Sequence, residues 1–284
     1  MIETSAKRNF LIVVKKRLDV LLVDRKLCDS RQQAQRLIRA GEVMVAQQIV
    51  DKPGTVVKED AVIKIKERSP YVSRGGEKLA KALKEFPIEV KNRICLDGGI
   101  STGGFTDCLL KHGAQKVYGI DVGYGQVAWT IRQDPRVILY ERTNLRHLTP
   151  ENLYASGVPD ASLGVVDVSF ISLTKVLQAI WNLLAPPRDL IALIKPQFEV
   201  GKDKVGKKGV VRETNDHIWA INQVIHAAHQ MGWGVSGLTW SPIVGPAGNI
   251  EYLLFLSEGM PLLQPNPENV SKVAIDASQK LTGL

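Results

Sequence analysis

Cysteine is scarce in this chain. Cys28, Cys95 and Cys108 are the three among 284 residues. An odd count at these spacings builds neither a disulfide framework nor a Cys/His metal cluster. Cys95 lies within an apolar run and reads as a packing residue. No apolar stretch approaches the roughly 20 residues that span a bilayer as a helix. The first residues lack the long apolar segment and small-residue cleavage site of an export signal, so a cytoplasmic chain is expected. Histidine is also sparse, with five residues. His226 and His229 share a helical stretch with no third ligand or nearby acid, read as surface residues, and no metal is assigned to them. Internal repeats are absent, and so is the G-x-G-x-x-G pattern of a dinucleotide site.

What is present is a sizeable apolar fraction, 44%, enough for a substantial core and for two domains. The net charge is +8, and its distribution is uneven. Residues 1–91 hold 20 Lys and Arg against 12 Asp and Glu, whereas residues 92–284 hold 17 of each. A basic module joined to a neutral body points to a polyanionic partner.

Residues 17–66 read as that module. Leu18, Leu21 and Leu22 have helical spacing within 17–27. Ser30 and Gln33 form a capping box for a second helix, Arg31 to Ala40, closed by Gly41. Ala34, Leu37 and Ile38 supply its apolar face, which leaves Arg31, Arg36 and Arg39 for the other side. Strand signals follow at Val43-Met44-Val45 and at 61–65, with a turn at Lys52-Pro53-Gly54. The runs Arg17-Leu18-Asp19, Ser30-Arg31-Gln32-Gln33-Ala34 and Ile38-Arg39-Ala40-Gly41-Glu42-Val43-Met44-Val45 resemble the S4 domain, a small α+β RNA-binding fold. The resemblance implies that the second helix and the loop after it contact RNA phosphates.

Beyond a linker at 67–71, broken by Pro70, a helix runs to about Phe86. Strands then alternate with helices. Strands are expected at 93–97, 116–121, 136–140, 163–168, 190–195, 235–240 and 250–256, with helices near 105–112, 126–132, 172–184 and 214–231. This is an α/β, doubly wound sheet whose last two strands pair antiparallel. A proline-rich stretch, 261–267, precedes a final short helical pattern.

The first strand runs into Asp97-Gly98-Gly99-Ile100-Ser101-Thr102-Gly103-Gly104. Glycines at such a turn let a ligand approach the backbone without a Cβ in the way. The next strand ends at Asp121, where a carboxylate can accept both hydroxyl protons of a ribose. Asp97 would repel a pyrophosphate but suits the ammonium of an amino-acid tail. These features together favour S-adenosylmethionine over a dinucleotide.

Four charged residues fall at element ends: Lys78, Asp167, Lys195 and Glu251. In an open α/β sheet, ligands bind beyond the C-terminal ends of the strands. Asp167 and Lys195 should point there, and an antiparallel last strand would bring Glu251 to the same edge. Charges beside apolar strands are costly unless paired.

The order Lys–Asp–Lys–Glu resembles the tetrad of FtsJ-type ribose 2′-O-methyltransferases. Six runs resemble the TlyA family, also called hemolysin A: Ser73–Leu79, Ser101–Asp107, Asp121–Gln126, Glu141–Asn144, Asp167–Ser172 and Lys195–Glu199. That family joins an S4 domain to an FtsJ-like body. The resemblance implies a Rossmann-like methyltransferase sheet at 76–284, a linker at 68–75 and a small N-terminal α+β RNA-binding domain at 1–67. It also implies 2′-O-methylation of cytidine in ribosomal RNA, with ribosomal RNA or subunits as partners and no membrane. The donor would lie against Asp97, Gly99, Ser101, Thr102, Gly103, Asp121, Asn144 and Asp167. Lys195 would be the base, oriented by Asp167. Lys78 would supply a like charge, and Glu251 would hold either Lys78 or the ribose.

Two departures from the family pattern stand out. Gly98 replaces a branched residue, and Ile100 is larger than the usual alanine. The linker carries Pro70-Tyr71 instead of an Ala-Trp-like pair. Lys202, Lys204, Lys207 and Lys208 crowd a glycine-bearing stretch that lacks the Ser/Thr of a P-loop. It reads either as a mobile loop on RNA phosphates or as a solvated one. Trp219, Trp233 and Trp240 read as core residues. Two other function classes remain: an RNA-binding assembly factor with a non-catalytic donor site, and a pore-forming hemolysin, which the missing export and membrane segments disfavour.

Overall fold

The computed structural model describes residues 14–65, 69–261 and 267–282. Glu67 and Arg68 of the linker and residues 262–266 of the proline-rich stretch lie outside the described residues. The chain divides into two compact units, at Arg68 and Ser69.

The first unit begins with β1 (Lys15–Arg17), followed by α1 (Leu18–Asp24) and α2 (Arg31–Arg39). Then come β2 (Val43–Val45), β3 (Gln48–Ile49), β4 (Val56–Lys58) and β5 (Ile63–Ile65). Strand β1 pairs antiparallel with β4, and β3-β2-β5 form a second small sheet. The expected helix over 17–27 is therefore shorter, because Arg17 is the last residue of a strand. The ends of α2 follow local rules. Ser30 Oγ accepts the Gln33 N–H at 3.2 Å, and Gln33 Oε1 accepts the Asp29 N–H at 2.9 Å. At the other end Gly41 adopts φ +68°, so that its N–H reaches Ile38 O and the Glu42 N–H reaches Leu37 O. Leu18, Leu22, Ala34, Leu37, Ile38 and Val43 form the core. Asp19 is fully buried beside it. Its carboxylate accepts two bonds from Arg17, one from Arg31 and one from Gln35, each at 3.0 Å. The Arg17 bonds foremost hold that carboxyl well below the usual carboxylate range.

The second unit opens with α3 (Gly75–Glu85), β6 (Ile94–Gly98), α4 (Gly104–Lys111) and β7 (Lys116–Ile120). It continues through α5 (Trp129–Arg132), β8 (Val137–Tyr140), α6 (Pro150–Leu153), β9 (Leu163–Val166) and α7 (Leu177–Leu183). Then follow β10 (Asp189–Ile194), α8 (Pro196–Glu199), α9 (Thr214–Gln230), β11 (Trp233–Trp240), β12 (Tyr252–Glu258) and α10 (Pro267–Thr282). The seven strands lie in the order β11-β12-β10-β9-β6-β7-β8. Strands β6 to β10 are mutually parallel, while β12 runs antiparallel to both β10 and β11. The order reverses between β6 and β9, and such a switch point opens a crevice for ligands. Cores cover both faces, as a parallel sheet requires.

Several elements differ from expectation. The helix expected at 172–184 starts as a 3-10 turn, Leu173–Lys175, and becomes α-helical at Leu177. The helix expected at 126–132 is the single turn Trp129–Arg132. Trp233 is fully buried, but Trp219 is 41% exposed, so only the first is a core tryptophan in full. His226 is exposed, and His229 is partly buried. The 201–209 stretch is neither extended nor free. It forms 3-10 turns at Lys202–Lys204 and Lys207–Gly209. The Lys204–Asp216 ion pair at 2.8 Å and the bond from Asn249 Nδ2 to Gly209 O tie it to the body. The segment after the unit boundary also packs on the body. The Val72 N–H donates to Asp107 Oδ2 at 2.8 Å, and the Tyr71 ring covers Gly76.

Candidate active site

The glycine turn is built by close approach. Gly99 has φ +89°, and a Cβ there would lie 2.5 Å from Asp167 O. The Gly99 and Ile100 N–H groups both donate to Ile120 O, at 2.8 and 3.1 Å. Those bonds lay the turn across the ends of β7 and β9. Gly98 belongs to β6, and any side chain there would press on Leu145. That contact explains the missing branched residue. Ile100 is buried, packs beside Gly119 and is also among the residues that line the smaller of two cavities at the turn.

Two adjoining cavities flank the turn. The larger, about 370 Å³, is lined by Asp121, Gln126, Asn144, Asp167 and Phe170 among others. The smaller, about 230 Å³, is lined by Ser73, Arg74, Lys78, Thr102 and Pro246 among others. Gly99, Ser101 and Asp167 belong to both. Asp121 Oδ2 accepts the Ser101 N–H at 2.8 Å and Oδ1 accepts the Gly123 N–H at 2.7 Å. Each carboxylate oxygen keeps a further lone pair for a ligand hydroxyl. Asn144 lines the larger cavity while its side chain accepts the Arg146 N–H at 3.0 Å.

Two of the residues expected against the donor line neither cavity. Gly103 is buried and left-handed, φ +96°, as the residue that starts α4. Asp97 is fully buried. Its Oδ2 accepts the Thr106 hydroxyl at 2.6 Å, and its Oδ1 has no partner. Burial pushes its pKa up to about 7; the Thr106 bond opposes that, while the charges of Asp167 and Asp121 add to it.

The four charged residues form one chain. Glu251 Oε2 lies 2.6 Å from Lys78 Nζ, and Lys78 Nζ lies 4.0 Å from Asp167 Oδ2. Asp167 Oδ1 lies 2.6 Å from Lys195 Nζ. The signs alternate along it, so each buried charge has an opposite neighbour. Lys195 also donates to Ser169 Oγ at 2.8 Å, at the wall of the larger cavity. Glu251 is 1% exposed and engaged with Lys78, which is the first of the two places open to it.

Sequence reasoning left Ser169 and Glu199 without roles. Glu199 accepts the Ser172 hydroxyl at 2.6 Å and the Leu173 N–H at 2.9 Å, which fastens the segment after Lys195 to the segment after Asp167. Burial raises its pKa. The only signal was its place in the run Lys195–Glu199. Phe170, 92% exposed at φ +64°, stands at the cavity wall with its ring 5.3 Å from Phe198. Such a conformation for a bulky residue marks local strain, a feature that clusters at functional sites.

The residues expected on RNA differ in setting. In the first unit Arg36 and Arg39 are exposed on α2, and Arg31 is tied to Asp19. In the second unit Lys202, Lys207 and Lys208 are exposed, whereas Lys204 is paired with Asp216 and lies over Trp219. Among the described residues, no helix is long and apolar enough to cross a membrane.

Comparison with known proteins identifies relatives of this chain. A Bacillus subtilis protein named "Putative rRNA methyltransferase YqxC" is 46% identical, covering 94% of this chain and 95% of its own length. The Mycobacterium tuberculosis "16S/23S rRNA (cytidine-2'-O)-methyltransferase TlyA" is 47% identical over 84% of this chain and 89% of its own. A solved structure described as "Putative hemolysin from Streptococcus thermophilus" superimposes with TM-score 0.74 at 39% identity, covering 94% of this chain and 97% of that one. Residues 16–63 match the S4 domain. With residues 71–258 matching the FtsJ-like methyltransferase model, the chain belongs to the FtsJ-like methyltransferase family and carries an S4 domain ahead of its catalytic body.

Proposed function

We propose that this protein is an S-adenosylmethionine-dependent methyltransferase that methylates the 2′-hydroxyl of cytidine in ribosomal RNA. The observation that carries this reading is the chain Glu251–Lys78–Asp167–Lys195, whose middle members Lys78 and Asp167 line the cavities beside the glycine turn. The relatives named as rRNA (cytidine-2′-O)-methyltransferases support the substrate. Residues 1–67 form the RNA-binding domain, 68–75 the linker and 76–284 the methyltransferase domain. The protein works in the cytoplasm on ribosomal RNA or ribosomal subunits.

The residues present fit the methyl donor. Gly99 lines both cavities, Asp121 keeps lone pairs for a ribose diol, and the unpartnered Asp97 oxygen suits a nearby positive charge. Asp97, Gly99, Ser101, Thr102, Gly103, Asp121, Asn144 and Asp167 form the donor site, with Gly103 and Asp97 acting from beneath the cavity walls. The donor supplies an electrophilic sulfonium methyl. Transfer of that methyl to the target ribose oxygen would break the sulfur–carbon bond and release a thioether. Lys195, in its neutral amine form, accepts the hydroxyl proton, and Asp167 fixes its position. Lys78 and Glu251 hold Asp167 in place. Holding two reactants in line can be worth roughly 7–11 kcal/mol, so positioning carries much of the rate. Arg31, Arg36, Arg39, Lys202, Lys204, Lys207 and Lys208 face RNA phosphates.

Asp121→Ala should weaken binding of S-adenosylhomocysteine by roughly tenfold to a hundredfold in calorimetry, through the loss of charge-assisted bonds. An unchanged affinity would remove Asp121 from the ribose. Deleting residues 1–67 should weaken binding to ribosomal subunits and flatten its dependence on salt, because fewer phosphates are neutralised. S-adenosylhomocysteine binding should persist in the truncated protein. Equal subunit affinity at every salt concentration would give the module another role. A non-catalytic assembly factor is disfavoured by the intact charge chain, and a pore-forming hemolysin finds no support in any helix of the described residues.

A further inference from the structure

Lys195 has two partners that differ in kind. Its Nζ lies 2.6 Å from Asp167 Oδ1, yet that oxygen takes no aligned hydrogen bond, so the contact is an ion pair held by charge. Ser169 Oγ, at 2.8 Å, accepts a directed hydrogen bond from the same nitrogen. Coulomb attraction tolerates a range of angles, whereas a hydrogen bond weakens steeply once it bends. The serine is therefore the partner that fixes the orientation of the amine. Ser169 and Asp167 both line the larger cavity, while Lys195 itself is only 8% exposed.

The serine is held in its turn. The backbone ladder between β9 and β10 ends at the pair Val166 and Ala192. Past it, side chains join the two segments that follow. Ser169 meets Lys195, the Phe170 ring lies 5.3 Å from that of Phe198, and Glu199 takes the Ser172 hydroxyl and the Leu173 N–H. On the lysine side the Phe198 N–H donates to Lys195 O at 2.9 Å, so the turn that carries Glu199 also carries the lysine. Ser169 thus sits between Asp167 and the clip at Ser172, with its backbone tied at both ends.

We infer that Ser169 is a positioning residue for methyl transfer: its hydroxyl turns the Lys195 amine so that the lone pair faces the target ribose hydroxyl. This rests on the methyltransferase reading above. A neutral amine carries two N–H bonds and one lone pair, and it rotates about its Cε–Nζ bond. The Asp167 carboxylate repels the lone pair, and Ser169 Oγ holds one N–H, which leaves the lone pair a single direction. As the ribose hydroxyl gives its proton to Nζ, the amine becomes an ammonium. Its bond to Ser169 then becomes charge-assisted and roughly twice as strong as a neutral one. An interaction that strengthens in the transition state raises the rate and leaves ground-state affinity unchanged.

Single-turnover methylation of ribosomal subunits by the full-length protein, at saturating S-adenosylmethionine, tests this with three variants. Ser169→Ala removes the hydroxyl. Ser169→Cys keeps the shape of the side chain but offers only a weak acceptor. Ser169→Thr keeps the hydroxyl. The alanine and cysteine variants should be slower by about tenfold, the scale of one lost hydrogen bond to a charged group, and the threonine variant should come within about threefold of wild type. Affinity for S-adenosylhomocysteine in calorimetry, and for ribosomal subunits, should stay within about twofold of wild type in all three, because the ground state gains nothing from the bond. Wild-type rates for Ser169→Ala and Ser169→Cys would overturn the assignment. Equal slowing of all three variants would overturn it too, by tracing the effect to space instead of the hydroxyl. A rate loss matched by a loss of S-adenosylhomocysteine affinity would likewise overturn it and make the serine part of the donor wall. No methylation by the wild-type protein, on subunits that it binds, would instead sink the methyltransferase reading itself.

Discussion

Replacing Lys195 by alanine should abolish methyl transfer, by a factor of about 10³ or more in single-turnover rate, while the protein remains folded and still binds S-adenosylhomocysteine. Two contributions combine in that number. General base catalysis is worth roughly 10²–10⁴, and misplacing the nucleophile adds to the loss. Lys195 follows β10, 2.6 Å from Asp167 and 2.8 Å from Ser169, so it is held from two sides by residues that line the larger cavity. Lys195→Arg should fail as well. A guanidinium keeps its proton near neutral pH and cannot take one from a hydroxyl. Asp167→Ala should be similarly inactive, because it strips the carboxylate from both lysines. Circular dichroism on each variant separates lost chemistry from lost fold. Near-wild-type rates for both Lys195 variants would return the charge chain to a structural role.

Asp97→Asn should make the ligand-free protein more stable at pH 8 and the donor site weaker. Asp97 is fully buried with one unpartnered oxygen, and its pKa is pushed up to about 7. An unfolded aspartate titrates near 3.9. Between about pH 4 and pH 7 the folded chain therefore holds a proton that the unfolded chain has lost. Stability falls as pH rises through that window and stays low above it. The asparagine can still accept the Thr106 bond, and its neutral amide costs less to bury than a charge. The gain should be a few kcal/mol at most, which is a rise in melting temperature of several degrees at ~2–4 °C per kcal/mol. At pH 5 the variant and wild type should melt much closer together. S-adenosylhomocysteine should bind the variant more weakly, since the site loses one of the negative charges that favour the ligand's ammonium group. A melting difference that is the same at pH 5 and pH 8 would mean that Asp97 is not the titrating group.

Much of this site was legible in the residues, for a physical reason. Strand ends and glycine turns are local features, so Asp121, Asp167 and Lys195 could be placed at one sheet edge before any coordinates. The antiparallel last strand followed from the short connection between two apolar runs, and it carried Glu251 to Lys78, 173 positions away in sequence. Contacts that depend on tertiary packing were not legible. The clip made by Glu199 joins loops that share no periodicity. The turn of Ile100 into the core depends on the space left by Gly119 across the neighbouring strand. The lysine-rich stretch at 201–209 looked free because glycine and lysine are typical of solvated loops; a single ion pair to α9 and one asparagine tie it down. Asp19 was read only as part of a motif, and its burial against Arg17 and Arg31 emerges once α1, α2 and β1 come together.

The central claim is that the chain transfers methyl groups to ribose hydroxyls of ribosomal RNA. Its most direct test is incubation of the purified full-length protein with isolated ribosomal subunits and S-adenosylmethionine, followed by mapping of 2′-O-methyl positions. The expected result is a new 2′-O-methylcytidine at a discrete position in at least one subunit RNA, present with the wild-type protein and absent with Lys195→Ala. Methylation of a base, or no new methyl group on subunits that the protein demonstrably binds, would contradict it.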